Sequence, residues 1–441
     1  MRRHILIVSG LVVLVAIAII AWIAWPDTAR LDMASVEGQR PEITDPRAQW
    51  IPTMNVAKAV GWPDGAKPVA AAGLTVAAYA TGLEHPRWLY RLPNGDVLVA
   101  ESNSPPSEGG GIANKVMGFL MGRAGAGVPS ANRITLLRDA NGDGVPEVKT
   151  VFMTGLNSPS GMALFDGQLY IANTDALVRV PYVEGMTKVT AKPELVVKLS
   201  GGGNHWARNV IPAEDGKTLY VSVGSSTNIA DNGLAAERYR ANILQVWPKE
   251  KTYRIYAAGL RNPNGMALEP HSHELWTVVN ERDMIGSDLA PDYLTAVEMG
   301  DHFGWPWYYW GGYPDRRVEP GNAPLQQYSK RPDYALGPHV AALGLTFAED
   351  AKLGPKFANG AFIGEHGSWN RKPLSGYKVV SVPFGDTGGP LKDAKPIDVL
   401  TGFLNKDGEA QGRPVGVIID KTGALLVADD VGNRVWRVSA Q

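Results

Sequence analysis

One pattern, copied six times along the last 370 or so residues, restricts the possible folds of this chain more than any other feature. In each copy a turn marked by Gly or Asn-Pro leads into a short apolar strand. A Gly-marked tight turn follows, and an alternating strand then ends in polar residues. The copies run over 82–103, 155–175, 204–225, 259–283, 342–370 and 412–433. Their equivalent apolar positions are Leu98, Leu169, Leu219, Leu275, Phe362 and Leu425, about 65 residues apart on average. Two strands are explicit in each copy, and stretches such as 176–181 and 377–383 leave room for two more. Four short antiparallel strands repeated six times predict an all-β fold, a six-bladed β-propeller of four-stranded blades over residues 73–441. A sandwich or an open solenoid competes with it, but a solenoid has no need of such uneven spacers. Leu74–Ala80 is expected to complete the blade that ends with Val435–Val438. The 50 glycines and 32 prolines suit many short elements joined by tight turns.

Two other segments precede the repeats. Arg2 and Arg3 stand before an apolar run from residue 5 to residue 25, which ends in Trp22, Trp25 and Pro26. About 20 such residues span the hydrocarbon of a bilayer, and tryptophans favour its interface. Residues 1–26 are therefore read as an uncleaved transmembrane helix rather than a cleaved signal, which would have a shorter apolar core and a small-residue cleavage site. The arginines hold the N-terminus inside, so both readings export the main domain across the inner membrane, to the periplasmic side. Residues 27–72 read as an extended spacer that lets the domain stand off the bilayer.

In a radial array the polar strand ends 101–103, 173–175, 281–283 and 365–366 meet on one face around the central channel, which makes that face the candidate site. Four fragments there are more polar than a strand or turn requires: 201–208, 259–265, 280–283 with 301–306, and 367–371 with 412–414. Arg208, Arg261, Arg282, Arg371 and Arg413 occupy corresponding loops of separate blades. Like charges converge stably around an anion, and planar forks suit carboxylates or phosphates. The plainer alternative pairs each arginine with a nearby acid such as Glu281 or Asp283. His205, in a Gly-rich loop beside Asn204 and Arg208, is a candidate general base, with a structural histidine as the alternative. The 43 basic against 44 acidic residues argue against a nucleic-acid partner. The absence of cysteine excludes disulfides, thiolate metal sites, iron–sulfur clusters and cysteine nucleophiles.

The fragments GGGNHWARN (201–209), GLRNPNGMAL (259–268), NERD (280–283) with HFGWP (302–306), GSWNR (367–371) and GRPVG (412–416) follow one another in order along the repeats. Together they resemble the quinoprotein sugar dehydrogenases of the soluble glucose/aldose type, in their sorbosone dehydrogenase-like branch, over roughly residues 75–438. The resemblance implies a six-bladed propeller with pyrroloquinoline quinone (PQQ) as cofactor. PQQ bears three carboxylates, which would account for the arginines. By resemblance, His205 is the base for a substrate hydroxyl while hydride moves to the quinone, and Arg261 and Asn262 match the family's pair over the quinone oxygens and the substrate. Arg371 and Arg413 match partners of the cofactor's carboxylates. Asp283 and Met284 fall where the family offers main-chain carbonyls to an active-site calcium ion (Ca2+).

There are departures from the family pattern. Asp283-Met284 stands in place of Gly-Pro, Ser158-Pro159-Ser160 in place of a Gln-containing turn, and Asn204 in place of Asp. They favour a sorbosone-like aldehyde or another aldose over glucose as the small-molecule substrate. With no cysteine and so no haem attachment, electrons must leave to an external quinone or cytochrome. Asp139, Asn141 and Asp143 begin an EF-hand-like loop and are read as a surface calcium site, ahead of a plain Asx–Gly turn. Trp305, in an aromatic block otherwise assigned to packing, is the ring expected to line the substrate site. The competing functions are a calcium-dependent lactonase, using Glu101, Asn103, Asn173, Asp175 and Asn204, and a propeller that only binds. The arginines are hard to explain around a cation.

Overall fold

The computed structural model describes residues 12–18, 25–47, 52–106 and 118–441. Within them, six antiparallel sheets of four or five strands follow one another in chain order, with one further two-stranded ribbon at 308–314. Blade 1 is built from Pro86–Arg91, Val97–Glu101, Arg133–Arg138 and Val148–Met153. Blade 2 uses Met162–Phe165, Gln168–Ala172, Ala176–Pro181 and Glu194–Lys198, and blade 3 Val210–Pro212, Leu219–Val223, Asn242–Trp247 and Thr252–Ala258. Blade 4 comprises Pro263–Leu268, Leu275–Val279, Pro291–Val297 and Tyr334–Pro338. Blade 5 follows with Ala342–Phe347, Gly360–Glu365, Lys378–Pro383 and Ile397–Thr401. Blade 6 has Pro414–Ile419, Leu425–Asp429 and Arg434–Ala440, and its outer strand is Leu74–Thr81 from the start of the domain.

All six equivalent apolar positions lie in the second strand of their blade, and all are buried. In blades 1, 4, 5 and 6 every residue of that strand is buried, because neighbouring blades cover both faces of the sheet. Burial on both faces is what turns an alternating strand into a continuous apolar run. Apolar clusters fill the gaps between blades, as where Leu98, Leu136 and Phe152 meet Met162, Leu169 and Ile171. The first strands sit innermost and touch one another around the channel. Gly265, Gly344 and Gly416 occupy the same place in three of them. A Cβ on Gly265 would lie 2.6 Å from the Leu345 amide, and one on Gly416 2.8 Å from the Arg87 carbonyl. Backbones approach this closely only where no side chain intervenes.

The ring closes as expected. Leu74 stands opposite Ala440 and Val76 opposite Val438 in an antiparallel ladder.

The segment expected to be a stand-off spacer is instead a strap folded onto the propeller. The Asp27 carboxylate accepts the Ser287 amide at 2.7 Å, Val36 is buried, and Gly38 exchanges main-chain bonds with Ala335. The Asn55 amide donates to the Arg371 carbonyl at 2.9 Å. Trp62 packs edge-on against Trp436 and Phe403 and donates its indole N–H to Asp429. Val69–Ala70 adds a fifth strand to blade 5. Composition misled because a strap bonded through its backbone needs no hydrophobic period. Among the described residues no helix is long and apolar enough to cross a membrane. The expected transmembrane run, residues 5–25, lies largely outside them.

Candidate functional site

The Gly-rich loop 201–206 places His205 at the entrance to the inner strand of blade 3. Its Nδ1 lies 2.9 Å from the Ser225 carbonyl and 2.9 Å from the Ser225 hydroxyl. A carbonyl only accepts, so Nδ1 carries the proton and Nε2 keeps its lone pair. Burial, reinforced by the charge of Arg261, lowers His205 to about 3, so the ring is neutral at pH 7. Arg208 supports the loop from behind, donating to the carbonyls of His205, Ala207 and Ser200 at 2.8–2.9 Å. Asn262 lies across Gly224 from His205: a Cβ on that glycine would sit 2.7 Å from the His205 Cβ and would also strike the Asn262 side chain.

Arg261 and Asp283 complete this side of the site. They pair at 3.0 Å, and the remaining Arg261 donors reach the Asn228 carbonyl, the Asn228 side chain and the Glu281 carbonyl. Asp283 also meets His339 at 3.2 Å. Burial opposes its ionisation, but His339 and Arg261 hold it below the usual carboxylate range. Burial likewise opposes charge on His339, yet Asp283 raises it. Asn228 organises the group: its side-chain oxygen accepts from Arg261 and from the Asp283 amide, and its Nδ2 donates to the Asp283 carbonyl.

Trp206 carries the loop across the channel to blades 1, 5 and 6. Its ring lies 5.4 Å from the Arg87 guanidinium, which pairs with Asp430 at 2.5 Å. Asp430 also accepts from His366 at 2.8 Å. Burial opposes charge on Asp430, but His366, His85 and Arg87 hold it well below the ordinary range. Burial lowers His366 to about 4 against the pull of Asp430. Beside this group stands Arg413, its guanidinium 4.7 Å from the Tyr377 ring. One nitrogen donates to the Tyr377 hydroxyl at 2.9 Å, and the buried Nε has no hydrogen-bond partner. A buried guanidinium with a free donor fits an anionic ligand such as a PQQ carboxylate.

The full convergence of five arginines is not what the fold builds. Arg282 is buried and bonded to Glu281, Asp315 and the carbonyls of Pro306 and Tyr308. Arg371 is buried and bonded to the carbonyls of Ser287 and Pro373, beneath the strap. With Arg208, these two support loops, because a buried guanidinium takes whatever carbonyls surround it. Trp305 is also a support rather than a substrate wall: it is buried and its indole donates to the Asn228 carbonyl at 2.9 Å. The main-chain carbonyls of Asp283 and Met284, expected to hold calcium, both accept from Arg317, at 3.1 and 3.3 Å. The loop of Asp139, Asn141 and Asp143 is closed by its own backbone, with Asp139 accepting from Gly142 and Gly144, and Asp143 from Val145. Among the described residues no group of three or more His, Asp or Glu is placed to hold a metal ion. Two of the ligands that a lactonase would need are committed elsewhere: Glu101 to Arg133 and Thr135, and Asn103 to main-chain carbonyls.

Asn228, His339, Arg317, Arg87 and Asp430 were missed from sequence. Arg87 and Asp430, like His366, lie within the repeat copies without standing out there, whereas Asn228, Arg317 and His339 lie between copies, with no motif around them.

Several known proteins are similar to this chain. A family model described as TrAA12-like matches residues 124–297 and 315–441. An uncharacterized protein of Borreliella burgdorferi is 31% identical over 294 residues, 64% of this chain and 76% of that one. The pyrroloquinoline quinone-dependent pyranose dehydrogenase of Coprinopsis cinerea is 32% identical over 233 residues, 42% of this chain but only 31% of that protein. The holo PQQ domain of the Coprinopsis cinerea pyranose dehydrogenase superposes with a TM-score of 0.68 at 20% identity, covering 87% of this chain and all of that one. The calcium structure of the Trichoderma reesei family AA12 enzyme gives 0.67 at 20% identity, covering 88% and 99%. The two structures speak for the fold, and the family model reaches across most of the ring. The chain belongs to the TrAA12-like family, among relatives of the pyrroloquinoline quinone-dependent sugar dehydrogenases.

Proposed function

We propose that this protein is a PQQ-dependent oxidoreductase that oxidises an aldose, a sugar aldehyde of the sorbosone kind or a related alcohol. The observation that carries the reading is His205, neutral, with its Nδ1–H held by Ser225 and its Nε2 free, beside Arg261. When bound, PQQ supplies a two-electron acceptor for hydride. The protein's own residues do the rest. The Nε2 of His205 takes the proton of a substrate hydroxyl, or of an aldehyde hydrate. Asn262 and Arg261 orient the oxygens beside it, and Arg413 holds a cofactor carboxylate. The apolar run after Arg2 and Arg3 supports tethering to the inner membrane with the propeller in the periplasm, where a quinone or cytochrome collects the electrons.

The test is to load the purified protein with PQQ and follow dye reduction over a panel of sugars and aldehydes. Reduction that requires both PQQ and a panel member supports the reading. Absence of PQQ binding, or lactone hydrolysis without it, overturns the reading. Arg413→Ala should weaken PQQ binding about 10–100-fold, the worth of a charge-assisted hydrogen bond to a buried carboxylate. A fluorescence titration of the apo-protein should show this while substrate preference stays unchanged.

A further inference from the structure

The loop that resembles a calcium site is already filled by a side chain. Arg317 donates Nη1 to the carbonyls of both Asp283 and Met284. Its other edge forms a bidentate pair with Asp315, through Nε at 2.9 Å and Nη2 at 2.7 Å. The Asp283 carbonyl also accepts the Asn228 amide at 3.0 Å, so both of its lone pairs are in use. No carboxylate is left over: Asp283 pairs with Arg261 and His339, and Asp315 with Arg317 and Arg282. A divalent ion here would face two guanidinium groups, and hard cations demand six or more oxygen ligands. Arg317 is a fifth exposed and borders a cleft of about 450 Å³ lined also by Ile43, Ile285 and Tyr309. The substitution of Asp283-Met284 for Gly-Pro removes nothing that Arg317 needs, because only main-chain oxygens are used.

We propose that the Arg317 guanidinium stands where the resemblance puts a calcium ion, so that this chain binds its cofactor without a divalent cation. A guanidinium carries a fixed positive charge and, unlike calcium, cannot be removed by a chelator. The proposal rests on the PQQ reading above. The experiment titrates PQQ into chelator-treated apo-protein, following tryptophan quenching in EDTA and in about 1 mM calcium chloride. For the wild-type protein the two dissociation constants should agree within about twofold. Arg317→Ala should bind PQQ about tenfold or more weakly in EDTA and recover in calcium, whose ligands it uncovers. Arg317→Lys, which keeps the charge, should fall between them and covers the case in which the alanine variant fails to fold. Wild-type binding that needs calcium overturns this proposal alone. Failure to bind PQQ under either condition overturns the cofactor reading and this proposal with it. An Arg317→Ala protein that binds like wild type in EDTA also overturns the proposal.

Discussion

Replacing His205 with alanine is expected to lower turnover by about 100- to 10,000-fold while leaving PQQ affinity within about twofold, because a positioned general base contributes that much and does not hold the cofactor. The ring bonds only to Ser225, through Nδ1, and the loop around it is kept by Arg208, which reaches the His205 main chain rather than its ring. Removing the imidazole therefore leaves the loop in place. Stopped-flow single turnover on the loaded variant separates the chemical step from reoxidation by the acceptor, and unchanged hydride transfer would exclude the role. The acid limb offers a second check. Burial and Arg261 lower His205 to about 3, so its base form persists well below the 6.5 of an ordinary histidine. The single-turnover rate should stay flat from pH 8 down to pH 5. A fall centred near 6.5 would point to a different base.

Asp429→Ala is expected to cost about 3–5 kcal/mol of stability, among the largest effects a single substitution can have here. One oxygen of this buried carboxylate accepts the indole N–H of Trp62 at 2.6 Å and of Trp436 at 3.0 Å. The other accepts the amides of Arg413 and Gly432, both at 2.8 Å. Alanine strands four donors, in the strap, in the last strand and in the turn that aims Arg413. Asparagine should not rescue it, since its amide nitrogen would face donors. Burial raises Asp429 to about 6, against the help of its four donors. A carboxyl held above its unfolded value of about 3.9 contributes stability at low pH that is lost as pH rises through the folded value. Wild type should lose this contribution between about pH 4 and 7, and Asp429→Ala should not. Urea midpoints at several pH values measure both effects, and equal midpoints at pH 5 for the two proteins would remove Asp429 from the account.

The fold was legible because a propeller writes itself as period. Each blade repeats a turn, a buried strand and a polar end, and the six positions from Leu98 to Leu425 mark the same strand six times. Ring closure was legible because propellers close by pairing their two ends, which made Leu74–Ala80 the natural partner of the last strand. The site was only half legible. His205, Asn262, Arg261 and Arg413 stand in motifs beside the channel, and the fold brings them to it. Arg208, Arg282 and Arg371 share those motifs but turn into the backbone, a difference set by neighbouring carbonyls that the one-letter pattern does not record. Asn228 and Arg317 come from inserts between strands, where contact depends on loop paths rather than on spacing. The strap was missed because its contacts are backbone bonds and scattered single side chains such as Asp27, Val36, Asn55 and Trp62, which leave no periodic trace.

The closing strand has a kinetic meaning. Residues 74–81 pair with 434–440, and Trp62 binds Asp429 and Trp436, so the first part of the propeller domain to be made waits for the last. Contacts that span more than 350 residues require a large loop to close before they give anything back. Until residues 434–440 emerge, the outer strand of blade 6 has no neighbour to pair with and Trp62 lacks its Trp436 partner. A chain made from its N-terminal end therefore stays an open array of blades and becomes a ring only when its last strand is free to pair.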